Sequence, residues 1–374
     1  MQFTISRDVF LKSLGHAHGV IEKKTTLPIL SNILIEAKNS KIKITGTDLD
    51  IIYSEEIPFL ELKKEGSTTT SASILYDILR KLETNAKIEL SLQNENKLKL
   101  VSGNSEFNLL CMPSENFPLS DDNIKQNTFE ISSEKLLKFL NKTKISISND
   151  ETRHYLNGIY LHKTNIENKS FISGVATDSH RLSYSSIEID PKTTFEPIIL
   201  PKKTIFQLIS LLEQNIKSVK ISNDKSKIKF GMNDSVLISK VIDGRFPDYS
   251  KVIPKGNDKT LQIKLNEFKN SIERVTSVSL DRKEGLKMLI SKDFLQLSVN
   301  SPNSGEGNEK INAIFSSENM NISFNSRYLI DITSQIENDS ILINLKDASS
   351  PVLIKDLSDK YSFHVVMPMK IWFI

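Results

Sequence analysis

Phe3-Thr-Ile-Ser-Arg-Asp-Val-Phe-Leu-Lys-Ser-Leu14 recurs in altered form as Phe129-Glu-Ile-Ser-Ser-Glu-Lys-Leu-Leu-Lys-Phe-Leu140 and again as Leu261-Gln-Ile-Lys-Leu-Asn-Glu-Phe-Lys-Asn-Ser-Ile272. Each copy reads as a short alternating strand running into an amphipathic helix. A second signature follows each of them: Ser73-Ile-Leu-Tyr-Asp-Ile-Leu-Arg-Lys-Leu82, Lys203-Thr-Ile-Phe-Gln-Leu-Ile-Ser-Leu-Leu212 and Asn325-Ser-Arg-Tyr-Leu-Ile-Asp-Ile-Thr333. Repetition at roughly 120 to 130 residues fixes architecture before any single element does. The chain therefore reads as three copies of one α+β unit, each a doubled strand-helix-strands module. The expected domains are 1–124, 125–254 and 255–374, with linkers at Asp121–Asn127 and Pro254–Lys259.

Between the helices, Asn32–Ala37, Lys41–Gly46, Lys87–Leu92, Lys97–Val101 and Lys227–Phe230 alternate apolar and polar residues. That is the pattern of antiparallel sheets with one face buried and one wet. Asn94-Glu95-Asn96, Asn223-Asp-Lys-Ser226 and Ser301–Asn308 supply the polar turns. In Ser132–Lys144, Leu136, Leu137 and Leu140 form the apolar stripe and Lys135, Lys138 and Lys142 a basic one. Arg7, Lys12, Arg80, Lys81, Lys202, Lys203, Lys269, Arg274 and Arg327 add cations on or beside the equivalent helices. A charged helical face ordinarily just solvates the helix, but its recurrence in all the related helices points to a shared anion-facing surface.

Composition excludes several classes. The 374 residues are 38% hydrophobic and 25% charged, as in a folded globular protein. The longest apolar runs, Ile29–Ile35 and Phe206–Leu212, are too short to span a bilayer, and the N-terminus has no export-signal pattern. The single cysteine, Cys111, allows neither an internal disulfide nor a cysteine-based zinc site, and the expected location is the cytoplasm. Net charge is only +3, with 14 basic against 17 acidic residues in 1–124, 20 against 14 in 125–252 and 15 against 15 in 253–374. Bulk charge is too weak to grip nucleic acid, although local basic faces remain compatible.

Catalytic readings are thin. Asp178-Ser179-His180 carries hydrolase residue types, but neighbours on a strand point to opposite faces and no Gly-x-Ser-x-Gly turn is present. Asp48 with Asp50 and His16 with His18 lack further ligands for a metal. Gly305-Glu-Gly307 lacks the third glycine of a dinucleotide loop, and no phosphate-binding Gly-x-x-x-x-Gly-Lys exists. No cofactor is expected, and the chain reads as non-enzymatic. The alternatives are a monomeric DNA-binding adaptor or single-strand binder, which would interleave stacking aromatics with its cations, and a hydrolase using Ser179 and His180.

Thr45-Gly-Thr-Asp-Leu-Asp50, Arg153-His-Tyr-Leu-Asn-Gly158, Ala176-Thr-Asp-Ser-His-Arg-Leu182, Val241-Ile-Asp-Gly-Arg-Phe-Pro-Asp-Tyr249 and Val365-Val-Met-Pro-Met-Lys370 closely resemble signatures of the bacterial DNA polymerase III beta subunit (beta sliding clamp) family. The resemblance runs from Met1 to Ile371. It implies three clamp domains per chain, helices inside and sheets outside, and a head-to-tail homodimer forming a six-domain ring that encircles double-stranded DNA without reading sequence. It further implies an ATP-driven loader as a separate protein. The other implied partners are the replicative polymerase catalytic subunit, other polymerases and repair proteins that carry a Gln-Leu-x-Leu-Phe-like segment.

By the same resemblance the partner-peptide groove falls on Leu156, Thr177, His180, Arg181, Leu182, Pro247, Val252, Ser350, Val365 and Met367, with an adjoining half at Tyr155, Asn325, Tyr328, Ala348, Pro368 and Met369. DNA contacts fall on Lys24, Arg80, Arg153, Tyr155 and Lys203. The dimer interface falls on Ile78, Leu82, Phe107, Leu109, Ser277 and Val278. Ser277 replaces a larger apolar side chain, which implies a weaker joint, and His154 replaces an aromatic that touches DNA. Ser179 stands where the family commonly has glycine, and Trp372-Phe373-Ile374 extends past the usual end.

Overall fold

The computed structural model describes residues 1–22, 26–119, 124, 128–279 and 285–369. Its residues group into two compact units. The first holds Met1–Glu134, Thr193–Glu196 and Lys203–Val241, and the second holds Lys135–Lys192, Pro197–Lys202 and Ile242–Ile374. The middle repeat thus contributes strands to both. The reason lies in the sheets, which run on past the repeat boundaries.

In the first unit thirteen strands form one sheet. Ser235–Ser239 of the middle repeat pairs antiparallel with Ile51–Glu55 of the first, so one ladder crosses from repeat to repeat. In the second unit twelve strands do the same. There Arg181–Tyr184 pairs antiparallel with Phe363–Val366. Every paired strand among the described residues is antiparallel, and alternation in sequence becomes alternation in burial. Lys97–Ser102, Gly285–Ile290 and Phe294–Ser301 bury every second side chain.

Among the described residues six α-helices pack on these sheets: α1 (Arg7–Val20), α2 (Ala72–Lys81), α3 (Ser133–Lys144), α4 (Lys202–Leu212), α5 (Leu265–Val275) and α6 (Ser326–Thr333). α5 shows why they form. Leu265, Phe268, Ile272 and Val275 recur at three- and four-residue spacing and are buried in the cluster that also holds Leu297, Ile322 and Ile343. Each such side chain contributes about 1.5–3 kcal/mol of burial. The Ser71 hydroxyl caps α2 through Ile74 N–H, and the Asn325 side chain caps α6 through Arg327 N–H.

Several sequence expectations need correction. Lys142 does not belong to a solvated basic face: its side chain is 8% exposed and its ammonium lies 2.7 Å from Asp359. Phe139 and Thr143, together with Leu136 and Leu140, fill the buried side of α3, while Leu137 is only half-buried. Arg7 is committed as well, donating to the Leu79 carbonyl at 2.6 Å and the Arg80 carbonyl at 2.9 Å and so closing the end of α2. Lys138 pairs with Glu337, and Arg274 with Glu309. The basic stripe is therefore thinner than the sequence suggests.

The residues weighed as metal or nucleotide ligands have structural roles. His16 lies 3.2 Å from the Tyr53 hydroxyl, whereas His18 reaches Ser73 and stacks on Tyr76. Burial, with help from Glu55, pushes the Tyr53 phenol far above its usual range. No group of three or more His, Cys, Asp or Glu able to hold a metal occurs among the described residues. Gly305 opens a strand and does not form a phosphate loop; a Cβ on Gly307 would sit 2.7 Å from the Val275 carbonyl, so glycine there lets the strand approach α5. No described helix is long and apolar enough to cross a membrane.

Candidate functional site

Thr177-Asp178-Ser179-His180-Arg181 is the turn between strands Lys169–Thr177 and Arg181–Ile189. The Thr177 hydroxyl donates to the Arg181 carbonyl at 2.7 Å and accepts from Ser179 N–H at 3.1 Å. One Asp178 oxygen accepts the backbone N–H groups of both His180 and Arg181 at 2.9 Å. The equivalent turn of the first repeat, Thr47-Asp48-Leu49-Asp50-Ile51, makes the same four bonds. Short polar side chains satisfy the turn's backbone groups, which leaves Ser179 and Leu49 both at φ 77°. The hydrolase reading fails on this geometry: Asp178–His180 is a turn rather than a strand, the Asp178 carboxylate serves backbone groups and Arg181, and the Ser179 hydroxyl accepts from Arg153 at 2.6 Å.

This turn forms one lip of a cavity of about 220 Å³ in the second unit. Leu156, Thr177, His180, Arg181, Leu182, Pro247, Val252, Val365 and Met367 line it, all of them residues on which the resemblance places a groove. Leu182 and Val365 sit opposite each other on paired strands, and both are buried. Met367, 43% exposed, and Val252, 51% exposed, stand at the rim. The backbone fixes that rim, because Met367 N–H donates to the His180 carbonyl at 2.8 Å. A concave, mostly apolar pocket with adaptable methionine at its edge suits apolar side chains of a ligand.

Four further residues line the cavity: Ser179, Phe246, Asp248 and Tyr249. Phe246 and Tyr249 lie inside the quoted Val241–Tyr249 motif, where two aromatics flanking Pro-Asp were the available signal. Arg181 closes one end. Its side chain, 10% exposed, pairs with Asp178 at 3.1 Å and Asp331 at 2.7 Å and lies 4.3 Å over the Tyr328 ring. Through Arg181, Tyr328 joins the site without lining this cavity.

The remaining groove candidates lie beside it. Tyr155 packs against the Leu156, Leu182 and Val365 cluster. Asn325 caps α6, and Met369 N–H donates to the Ser323 carbonyl at 2.7 Å. Ala348 is exposed next to Ser350, whose hydroxyl donates to Asp347. Hydrogen bonds from the Ser349 and Ser350 backbone and hydroxyls hold the Asp347 carboxyl far below the usual range. Pro368 is half-buried. The Trp372 extension lies outside the described residues.

Of the DNA candidates, Lys24 lies outside the described residues. Arg80 is exposed and pairs with Asp77 at 3.3 Å, Arg153 pairs with Asp150 at 2.8 Å, and Lys203 meets Asp48 and Glu22. The exposed Arg80 and Arg153 pairs are worth about 0–1 kcal/mol each, so a phosphate can displace the carboxylate there, whereas the Asp48 side chain that holds Lys203 is only 6% exposed. His154 contacts the Asp243 carbonyl at 3.2 Å and packs edge-on to Tyr155.

The interface candidates differ among themselves. Ile78, Leu82, Phe107 and Val278 are half-buried and Ser277 is exposed, but Leu109 is buried within its own sheet while Leu110 is 85% exposed.

Comparison with known proteins decides the family. The N-terminal, central and C-terminal domains of the DNA polymerase III beta subunit match residues 1–121, 130–248 and 250–370. The chain belongs to the DNA polymerase III beta subunit family. It is 34% identical over 373 residues to the beta sliding clamp of Caulobacter vibrioides and 30% identical over 371 residues to that of Escherichia coli K12, covering 99% of this chain and 100% of each relative. A solved sliding clamp of Bartonella birtlesii bound to griselimycin superposes with a TM-score of 0.94 at 38% identity, over 99% of this chain and 100% of that one. A Caulobacter crescentus clamp gives 0.96 at 33% identity, over 99% of each chain. The fold is the three-domain α+β clamp, and the chain is a sliding clamp, a processivity factor of DNA replication whose family is non-catalytic.

Proposed function

We propose that two copies of this chain close head to tail into a six-domain ring around duplex DNA, and that the groove at Leu182 and Met367 tethers the polymerase and other DNA-processing proteins. The groove is the observation that carries this reading. It offers an apolar floor with half-exposed Met367 and Val252 above it, suited to the Leu and Phe of a Gln-Leu-x-Leu-Phe-like segment. Different partners then compete for one site. The domains are 1–124, 125–254 and 255–374, with helices toward the DNA and sheets outward.

Two open strand edges support dimer closure. In strand Ser105–Met112, Ser105–Leu110 pair with Lys97–Ser102, but on the other side only Cys111 and Met112 are paired, with Thr70 and Thr69. Strand Gly305–Phe315 is built alike: Gly305–Asn312 pair with Phe294–Ser301 on one side, and on the other side only Ala313–Phe315 are paired, with Leu261–Ile263. Edges such as these invite another chain, and joining one kind to the other in both directions closes a two-fold ring. Phe107, Ile78 and Leu82 would face Val278 and Ser277 across the joint.

Processivity in this reading comes from topology. Arg80, Arg153, Tyr155, Lys203 and Lys24 touch phosphates without reading bases, and the tethered polymerase rebinds before it diffuses away. The chain works in the cytoplasm without enzymatic activity of its own, and a separate ATP-driven loader opens the ring. Sedimentation at low micromolar concentration tests closure. A mass about twice 42.4 kDa is expected, and Phe107→Asp should halve it; a parent chain that stays monomeric would instead favour the adaptor reading.

A further inference from the structure

The groove has one wall that the sheets do not build. Phe246, Pro247, Asp248, Tyr249 and Val252 lie on the segment after Val241, whose backbone bridges a strand only at Ile242 and Ile199. Side chains must hold it. Phe246 stacks on Tyr160, with ring centroids 5.1 Å apart and planes 8° from parallel. The Tyr249 hydroxyl lies 3.0 Å from Nε2 of His162. Tyr160 and His162 sit two apart on strand Gly158–Ile166, so they share one face of it. Their own rings are 4.7 Å apart.

The chemistry at His162 has a direction. Its Nδ1 lies 3.4 Å from the Lys163 carbonyl, which can only accept, so the ring proton belongs on Nδ1. Nε2 is then bare and accepts the Tyr249 O–H. Burial favours this neutral arrangement, lowering the His162 pKa and raising that of the Tyr249 phenol. The phenol is thereby tied back, away from a ligand lying against its ring. Without the imidazole, a half-buried hydroxyl would need another acceptor, and the groove wall would shift or take up water.

We propose that His162 and Tyr160, which line no part of the groove, are positioning residues for its loop wall, and that His162 sets the groove's affinity for apolar peptides by holding the Tyr249 hydroxyl. The inference rests on the groove being the partner-peptide site.

The test uses the full chain and a fluorescein-labelled peptide containing Gln-Leu-Ser-Leu-Phe, with binding read by fluorescence anisotropy. His162→Phe, which keeps a ring but removes the acceptor, should weaken binding about fivefold, the loss of roughly one hydrogen bond. His162→Gln, which keeps an acceptor, should stay within about twofold of the parent. The double variant His162→Phe/Tyr249→Phe removes both partners and should recover most of the loss, a rescue that general loosening of the fold would not give. Met367→Ala, on the groove rim, separates the two claims. If Met367→Ala weakens binding while His162→Phe binds like the parent, or if the double variant is weaker still, the positioning role is overturned alone. If the parent chain does not bind the peptide, the groove reading falls and this inference with it.

Discussion

Met367 donates its backbone N–H to the carbonyl of His180 at 2.8 Å, and Lys240 does the same to Asp50 at 2.8 Å in the other unit. Both bonds tie a strand's exit to the Thr-Asp turn of the strand beside it. The same seam is therefore built twice, and the flanking side chains differ. At the second, Arg181 faces Asp331 across the seam; at the first, Lys203 faces Asp48.

Arg181 is the residue on which the second seam leans. Its nearly buried guanidinium satisfies Asp178 and Asp331 at once and covers Tyr328. Arg181→Ala should cost about 3 kcal/mol, because two carboxylates are left without their shared cation. Arg181→Lys should rescue little, since an ammonium cannot fork between both acids and stack. Urea unfolding of the two variants measures both effects; a cost below about 1 kcal/mol for alanine would mean water replaces the guanidinium.

His364 gives the fold an acid limit. It is fully buried beside Ser183, its Nδ1 2.8 Å from that hydroxyl. Burial, with Lys142 and Arg181 nearby, pulls its pKa down to about 3. The unfolded chain holds a proton there below about pH 6.5, so between those values unfolding takes up a proton. Stability is then complete above pH 6.5 and lost progressively as pH falls toward 3. His162, also lowered, acts in the same direction. The native carboxylates Asp356 and Asp359, whose pKa values lie below the ordinary one, add their losses only under more acidic conditions. Urea midpoints from pH 8 to pH 4.5 should fall, and His364→Gln should flatten that slope even where it lowers the plateau.

Leu49 occupies the first turn at φ 77°, where a branched side chain is unfavourable, and is 44% exposed. Glycine relieves that strain and sacrifices little burial. Leu49→Gly should therefore stabilise the chain by about 0.5–1 kcal/mol. The change reads out as a higher urea midpoint with an unaltered slope. A lower midpoint would mean that Leu49 packs on something its exposure conceals.

The architecture was legible because the repeats carry it. Phe3, Phe129 and Leu261 each lie in a strand that feeds a helix, as the three-fold pattern requires. Alternation located the strands, although several run one or two residues longer than the pattern, because a ladder continues where a polar residue still has a partner. Lys142 and Arg7 were misread for one reason. Sequence gives a cation's position on a helix but not what lies opposite, and Asp359 and the end of α2 come from distant segments. Pro247 and Val252 were named as groove residues only through the family resemblance; Phe246 and Tyr249 of the same segment were missed, because it has no periodicity to show which way its side chains turn. Their role comes from contacts with Tyr160 and His162, which sequence spacing cannot supply.

Gly158 marks where that site is least tolerant of added volume. It opens the strand after Leu156 and pairs with Pro201, and a Cβ there would fall 2.2 Å from the Leu200 carbonyl oxygen. Backbone stands in the way rather than a flexible side-chain end, so the two strands must part. Gly158→Ala should cost about 1–3 kcal/mol or more by overpacking. Because Leu156 is two residues away and lines the groove, the same change should weaken binding of a Gln-Leu-Ser-Leu-Phe peptide under conditions where the chain remains folded. Gly103→Ala is the control: its Cβ meets nothing within 4 Å, though its φ of 54° carries backbone strain of its own. It should therefore lower stability modestly and leave the peptide affinity unchanged. Equal effects of the two substitutions on affinity would show that the groove responds to overall stability rather than to the seating of Leu156.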